Sequence, residues 1–274
     1  MSKFYPDLNI SIVLYNNSID ELNCLLNSLA KVHCEVIIID NSPTNTLEKV
    51  AGSFLFVQYV HSLKNIGYGS AHNIAIQKSI EQGKKYHAVL NPDIIVSENA
   101  ITELIDFMND NNNIGLCMPN IVYPDLSRQY LCKLLPRPSD LIFRRFIPTK
   151  TLKKNHVERF ELRSENYETD FYAPSLSGCF MFIRTDILQK VGGFDERFFM
   201  YCEDLDLCRR INQHSDLRYV PTVPVIHHYN KGSYKISKLF FYHIRSAIQY
   251  FNKWGWVFDK ERKIINRDTL RQLQ

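Results

Sequence analysis

The stretch LNPDIIV, residues 90–96, decides how the chain is read. An apolar run, Ala88, Val89 and Leu90, meets Asn91, Pro92 and Asp93 and then turns apolar again. Proline removes a backbone donor and halts a hydrogen-bond ladder, so a buried strand ends here and Asp93 leaves the sheet. A carboxylate at the carboxyl end of a strand lies where open α/β sheets bind ligands.

Outward from that point, strands and helices alternate. NISIVLY (9–15), CEVIIID (34–40), FLFVQYV (54–60), the strand ending at Asn91 and IGLCMPNIV (114–122) read as buried strands. Between them, Leu22, Leu25, Leu26 and Leu29 repeat at helical spacing behind a Ser18–Glu21 capping box. A short helix over 44–51, a helix after NIGYGS and a helix over ENAITELIDFMND complete a parallel sheet with helices on both sides. Three strands then end in polar residues: Tyr15-Asn16-Asn17, Asp40-Asn41-Ser42 and Asn91-Pro92-Asp93. One aspartate after a strand is ordinarily a turn residue. Three such ends on one sheet edge suit a nucleotide, with one carboxylate for base or ribose and another for a metal on phosphates.

The bulk numbers narrow the classes. A chain of 274 residues, 45% hydrophobic, buries a large core, and a net charge of +4 does not mark a dedicated nucleic-acid binder. Seven cysteines form no C-x-x-C pair and are odd in number, which predicts buried free thiols in a reducing compartment. The opening MSKFYPDLNISIVLY lacks a signal-peptide pattern, and no apolar run approaches the ~18 to 20 residues that span a bilayer. The expectation is a cytosolic protein, with peripheral contact at a membrane.

From about 125 to 175 the pattern breaks up, and the basic, apolar-interleaved RPSDLIFRRFIPTKTLKKNH reads equally as an irregular excursion or an acceptor-side or membrane-facing loop. SGCFMFIR (177–184) returns as a strand and EDLDLCRRINQH as a helix. A helical stripe of Ile236, Leu239, Phe240, Ile244, Ala247 and Phe251 follows. Lys231, Lys235, Lys238, Arg245, Lys253, Lys260 and Arg262 surround that stripe, with Trp254 and Trp256. Such a segment either packs on the rest of the protein or lies on an anionic membrane surface.

Three further segments carry chemistry. NIGYGSAHN (65–73) starts like a dinucleotide fingerprint but puts His72 at the last glycine position and follows the third strand, which argues against a Rossmann dehydrogenase. Its loop precedes a helix amino terminus, where a diphosphate could rest. FFMYCEDLDLCRR (198–210) sets Glu203 and Asp204 behind aromatic residues, where a carboxylate's pKa rises and it can serve as a base. VIHHYNKGS (225–233) offers His227 and His228 as imidazole ligands that would complete a cation site with Asp93 and diphosphate oxygens.

Together IVLYNN, IIIDNS, NIGYGSAHN, LNPDI, SGCFMFIR, GGFDERFFMYCEDLDLCRR, VIHHYNKGS and HIRSAIQYFNKWGW resemble glycosyltransferase family 2, in its bacterial rhamnosyltransferase-like branch. The resemblance covers nearly the whole chain. It implies a GT-A type α/β fold with a mostly parallel central sheet over 1–230 (a nucleotide-binding half, 1–122, and an acceptor half, 123–230) and a C-terminal helical extension over 231–274. The family's D-x-D motif falls on Asn91-Pro92-Asp93, so its first acid is an asparagine here. Carried over, Asp204 is the base, Glu203 positions the acceptor, and Asp93 with His227, or His228, holds Mn²⁺ or Mg²⁺. Tyr15, Asn16, Asp40, Asn65, Gly67, Asn73, Asn91 and Asp93 line the donor pocket. The implied reaction is inverting transfer of L-rhamnose from dTDP-β-L-rhamnose to a polyprenyl-linked glycan at the inner face of a bacterial membrane. A UDP-hexose or galactofuranose donor, and a non-catalytic nucleotide-sugar-binding protein, are the alternatives.

Overall fold

A computed structural model of the protein describes residues 5–141, 156–228 and 238–272. Eleven strands and nine helices with defined bounds are found among these residues. In chain order they are β1 (Leu8–Leu14), α1 (Ile19–Leu29), β2 (Glu35–Asp40), α2 (Glu48–Ala51), β3 (Val57–His61), α3 (Tyr68–Glu81) and β4 (Tyr86–Leu90). Next come β5 (Ile94–Ile95), α4 (Glu98–Asp110), β6 (Ile114–Met118), β7 (Ile121–Val122), α5 (Pro138–Leu141) and β8 (Phe171–Tyr172). The chain closes with β9 (Phe180–Arg184), α6 (Thr185–Val191), α7 (Glu203–Ile211), β10 (Asp216–Tyr219), β11 (Val225–His227), α8 (Lys238–Trp254) and α9 (Lys260–Gln272). An eight-stranded sheet has the order β3-β2-β1-β4-β9-β6-β10-β8, and a three-stranded sheet the order β5-β11-β7.

Local chemistry explains the first half. Every residue of β1 is buried, as expected for a central strand covered on both faces. Ser18 caps α1 through the Glu21 amide while the Glu21 carboxylate accepts from the Ser18 amide, so the capping box is present. β1, β2, β3 and β4 pair in parallel, and their carboxyl ends share one edge.

Prolines mark the passages between the two sheets. β4 leaves the large sheet at Asn91-Pro92-Asp93 and re-forms as β5, β6 passes Pro119 to become β7, and β10 passes Pro221 and Pro224 to become β11. The single strand expected over 114–122 is therefore two short ones in different sheets, because Pro119 cannot continue the ladder. The strand expected over 177–184 starts only at Phe180 and runs antiparallel between β4 and β6. An apolar run signals a buried strand but carries no direction, so this reversal was not readable in FMFIR.

One face of the large sheet holds a buried polar chain. Asn9 Nδ2 donates to Ser79 Oγ at 3.1 Å, and Ser79 Oγ lies 2.7 Å from His87 Nδ1. His87 Nε2 is 2.9 Å from Ser11 Oγ, which is 2.7 Å from His72 Nδ1. Burial disfavours the charged imidazoles, lowering His87 to about 3 and His72 well below its ordinary value. His72, the residue that breaks the dinucleotide fingerprint, is thus a core residue.

The C-terminal helices dock on α7. Asp206, fully buried, pairs with Arg210 Nε at 2.7 Å and Lys253 Nζ at 2.6 Å, and accepts from Trp254 Nε1 at 2.8 Å. Arg209 makes two 2.7 Å bonds to Asp259 and lies 4.3 Å from the Trp254 ring. Lys253 and Trp254, which the basic-aromatic pattern offered to a membrane, are docking residues, and Arg262 is buried with them. Lys231 and Lys235 lie outside the described residues, as does the basic segment 142–155.

Candidate active site

The donor end is assembled around Ser42. Its Oγ accepts from the Asn16 amide at 2.8 Å, its amide donates to Asp40 Oδ1 at 2.8 Å, and its carbonyl lies 2.9 Å from His61 Nε2. The ends of β1, β2 and β3 are joined by these bonds. Asp40 is fully buried and its second oxygen accepts from the Tyr59 hydroxyl at 2.6 Å. It therefore shapes this edge from behind, while Tyr15 stands half exposed at the front of β1. Asn16 follows with a left-handed φ of 55°, which turns the chain away from the sheet.

Two members of the expected donor set serve another purpose. Asn73 spends its amide on the backbone of Phe194, donating at 2.9 Å and accepting at 2.8 Å, and its second proton reaches Glu196 at 3.2 Å. Its polar atoms anchor the 193–196 turn. Gly67, with φ of 92°, approaches Phe199 so closely that an added Cβ would lie 2.5 Å from its carbonyl oxygen. Tyr68 N donates to that same oxygen at 2.9 Å. This glycine makes room for the Phe199 backbone. Asn65 closes the turn by accepting from the Gly67 amide at 2.9 Å.

Pairing in the small sheet brings Asp93 to histidine. β5 runs antiparallel to β11 with Ile94 opposite His227, and Asp93 O accepts from the His228 amide at 2.9 Å. The His227 Nε2 to Asp93 Oδ1 distance is 3.2 Å, whereas the His228 ring is exposed. Gln129 fixes the tautomer. Its Nε2 donates to the carbonyls of His227 at 2.9 Å and Val122 at 3.4 Å, so its Oε1 accepts from His227 Nδ1 at 2.8 Å. In the neutral ring this leaves the Nε2 lone pair facing a carboxylate oxygen. Two acceptors facing each other, one held by an outer hydrogen bond, fit a divalent cation. Among the described residues no cluster of three His, Cys, Asp or Glu forms, so the remaining ligands would be diphosphate oxygens or water.

The acidic centre follows two left-handed residues, Tyr201 with φ of 70° and Cys202 with φ of 65°. Backbone in that region is strained for non-glycine residues and is held by its surroundings. Here Ser246 Oγ donates to Met200 O at 2.8 Å, and Phe198, Cys202 and Leu205 pack with Tyr250 and Phe251 of α8. Glu203 is buried, and desolvation followed by the Asp204 charge pushes its carboxyl well above the ordinary range. Asp204 is partly exposed and accepts at each oxygen, from Leu205 N at 2.8 Å and Gly178 N at 3.0 Å. Gly178 comes from the start of antiparallel β9, and a Cβ there would press on Asp204 Cβ at 3.2 Å.

Tyr68, absent from the expected set, ties the two centres together. Its buried hydroxyl meets Asn91 Oδ1 at 3.0 Å and Gly178 O at 2.8 Å. Burial, followed by the nearby negative charges of which Glu203 is the largest, pushes its pKa well up, and Gly178, whose carbonyl it meets, donates its amide to Asp204. Its position between Gly67 and Gly69 at a helix start was the only signal. Gln129 gave none, because nothing in the sequence pairs it with His227.

This geometry defines a nucleotide-sugar-binding α/β fold with an acidic transfer centre, the architecture of GT-A glycosyltransferases. The solved structure of GalNAc-T7 with UDP, GalNAc and Mn²⁺ superposes with a TM-score of 0.68 at 17% identity, covering 93% of this chain and 48% of that one. The sequence profile of Glycosyl transferase family 2 matches residues 10–192, most of the chain, and the chain belongs to that family. Its relatives include the rhamnosyltransferase WbbL of Escherichia coli K12, 28% identical over 227 residues, 80% of this chain and 82% of that protein. A second is the N-acetylglucosaminyl-diphospho-decaprenol L-rhamnosyltransferase of Mycobacterium tuberculosis, also 28% identical, covering 70% of this chain and 66% of that one. The protein is a glycosyltransferase.

Proposed function

We propose that the enzyme transfers L-rhamnose, with inversion, from dTDP-β-L-rhamnose to a hydroxyl of a polyprenyl-linked glycan. The link from Asn91 through the Tyr68 hydroxyl to Gly178, whose amide holds Asp204, is the observation that carries the transferase chemistry. The rhamnosyltransferase relatives, one named for a decaprenol-linked substrate, favour this donor and acceptor.

Each Asp204 oxygen accepts one backbone amide and keeps a lone pair, so the carboxylate is oriented yet able to take a proton. The acceptor O–H gives its proton to Asp204 as the oxygen bonds to the anomeric carbon. The bond from that carbon to the β-phosphate oxygen breaks, and the nucleoside diphosphate leaves with the electron pair. Glu203, favouring its protonated form, would donate a hydrogen bond to the acceptor sugar. Asp93 and His227 would hold a divalent cation, Mn²⁺ or Mg²⁺, which when bound offsets charge on the diphosphate. Tyr15 would cover the base, with Asn16, Asn65 and Asn91 lining the donor and Asp40 bracing the edge beneath it. A lipid-linked acceptor places the enzyme peripherally on the inner membrane face, and no described helix is long and apolar enough to cross a membrane.

A donor screen that reads nucleoside diphosphate release tests the reading. With a lipid-diphosphate glycan acceptor, dTDP-rhamnose should turn over fastest. Faster release from a UDP-hexose or UDP-galactofuranose would reassign the donor, and no acceptor-dependent release from any donor would leave a binding protein.

A further inference from the structure

The turn joining α8 to α9 exposes its apolar residues instead of burying them. Gly255, at φ of 101°, ends α8, and Trp256, Val257 and Phe258 follow at 38%, 64% and 90% exposure. The turn is nonetheless well braced. Arg262 donates to Trp256 O at 3.3 Å, Asp259 caps α9 through the Arg262 amide at 2.9 Å, and the Trp256 ring packs on Phe251 at 5.2 Å. A fixed turn that holds three large apolar side chains in water is unfavourable unless something covers them.

Beside this turn lies a cleft of about 740 Å³ between residues 134–140, 156–160 and α9. Leu134, Phe160 and Leu270 form part of its apolar lining, and Arg137, Arg159, Lys263 and Arg271 stand exposed around it. None of these four cations has an ion-pair partner among the described residues, and the single acid in the lining, Asp140, is 3.3 Å from His156. Apolar side chains flanked by unneutralised cations match the boundary of an anionic bilayer, where acyl chains lie beneath phosphates.

We infer that this face is the membrane-docking surface: Trp256, Val257 and Phe258 enter the headgroup–acyl boundary of an anionic lipid bilayer, and Arg137, Arg159, Lys263 and Arg271 meet lipid phosphates. The surface shares Trp256 with the basic, aromatic segment that the sequence suggested but not Lys253, which is consumed by Asp195 and Asp206. It gives a location to the membrane contact in the proposed function and rests on that reading for its purpose. Its test omits donor and acceptor, so either can fail alone.

The full chain is co-sedimented with phosphatidylcholine vesicles with and without phosphatidylglycerol, and Trp256 emission is followed with brominated lipids. Wild type should bind the anionic vesicles at low salt, with quenching that disappears in Trp256→Phe. Val257→Ser/Phe258→Ser should weaken binding at least tenfold without moving the melting temperature, because both side chains are already in water. Arg159→Gln/Lys263→Gln/Arg271→Gln should lose roughly a hundredfold, about a factor of ten or less for each cation. The inference is overturned by no binding at low salt, or by unchanged binding in both variants. Loss only on neutralising Arg144 and Arg145 would move the contact to 142–155 and also overturn it. So would a dimer that dissociates in Val257→Ser/Phe258→Ser while wild type ignores vesicles, since a second copy would then cover the turn.

Discussion

Where β1, β2 and β3 end, the polar groups hold one another, all between Asn16 and His61. Asp40 is bonded by Ser42 and Tyr59, and Ser42 in turn by Asn16 and His61, all on the ends of three adjacent strands. At the acidic end the supports come from far along the chain. Met200 is held by Ser246, Asp206 by Lys253 and Trp254, and Arg209 by Asp259 and Glu261. The difference follows from the backbone. Strand ends are placed by the sheet itself, whereas left-handed Tyr201 and Cys202 require packing on both sides to persist. The C-terminal helices therefore buttress the segment that carries Glu203 and Asp204.

The largest effect that separates the two ends should come from Asp204→Asn. Loss of a positioned base costs about 10²- to 10⁴-fold in turnover, while donor affinity should stay within a few-fold if Asp204 acts on the acceptor as proposed. Calorimetry beside a transfer assay checks both, and near-normal turnover removes Asp204 from the mechanism.

Arg209→Met tests the buttress. It leaves Asp259 buried with only Arg262 at 3.8 Å, and breaking a buried pair destabilises by about 3 to 5 kcal/mol. Chemical unfolding should show that loss together with a fall in kcat, with donor affinity of the folded fraction unchanged. A stability loss with normal kcat would make the helices an ordinary appendage.

Two pH dependences have opposite signs. His72 and His87 have folded pKa values below the ordinary 6.5, so folding favours their neutral forms. Their contribution is complete above pH 6.5 and is lost as pH falls from there toward about 3. The melting temperature should accordingly drop between pH 6.5 and 4.5, and a flat profile there would contradict the buried polar chain. Glu203 behaves in reverse: its raised pKa means that stability is lost as pH climbs past the ordinary 4.5 toward the folded value. Glu203→Gln should therefore raise the melting temperature at pH 8 by a small amount while weakening acceptor use.

The sequence made the donor end legible because its signals are local: a proline after Leu90, a capping box at Ser18, polar residues at three strand ends. The alternation of elements was enough to predict a mostly parallel sheet. Tyr68 and Gln129 were not legible, since Tyr68 acts through Gly178, 110 residues away, and Gln129 through His227, 98 residues away. The support that Asn73 gives the Phe194 backbone was hidden for the same reason, since it spans 121 residues. Lys253 and Trp254 looked like membrane residues because a buried acid such as Asp206 cannot be recognised from composition.

The proline crossing from β4 to β5 sets Asp93 against His227, the pair proposed to hold a cation. Electron paramagnetic resonance of Mn²⁺ titrated into the protein with dTDP tests it most directly. One tightly bound Mn²⁺ per chain is expected in the wild type, with loss of binding in Asp93→Ala and in His227→Ala and retention in Asp204→Asn. Equal Mn²⁺ binding by wild type, Asp93→Ala and His227→Ala would contradict the account.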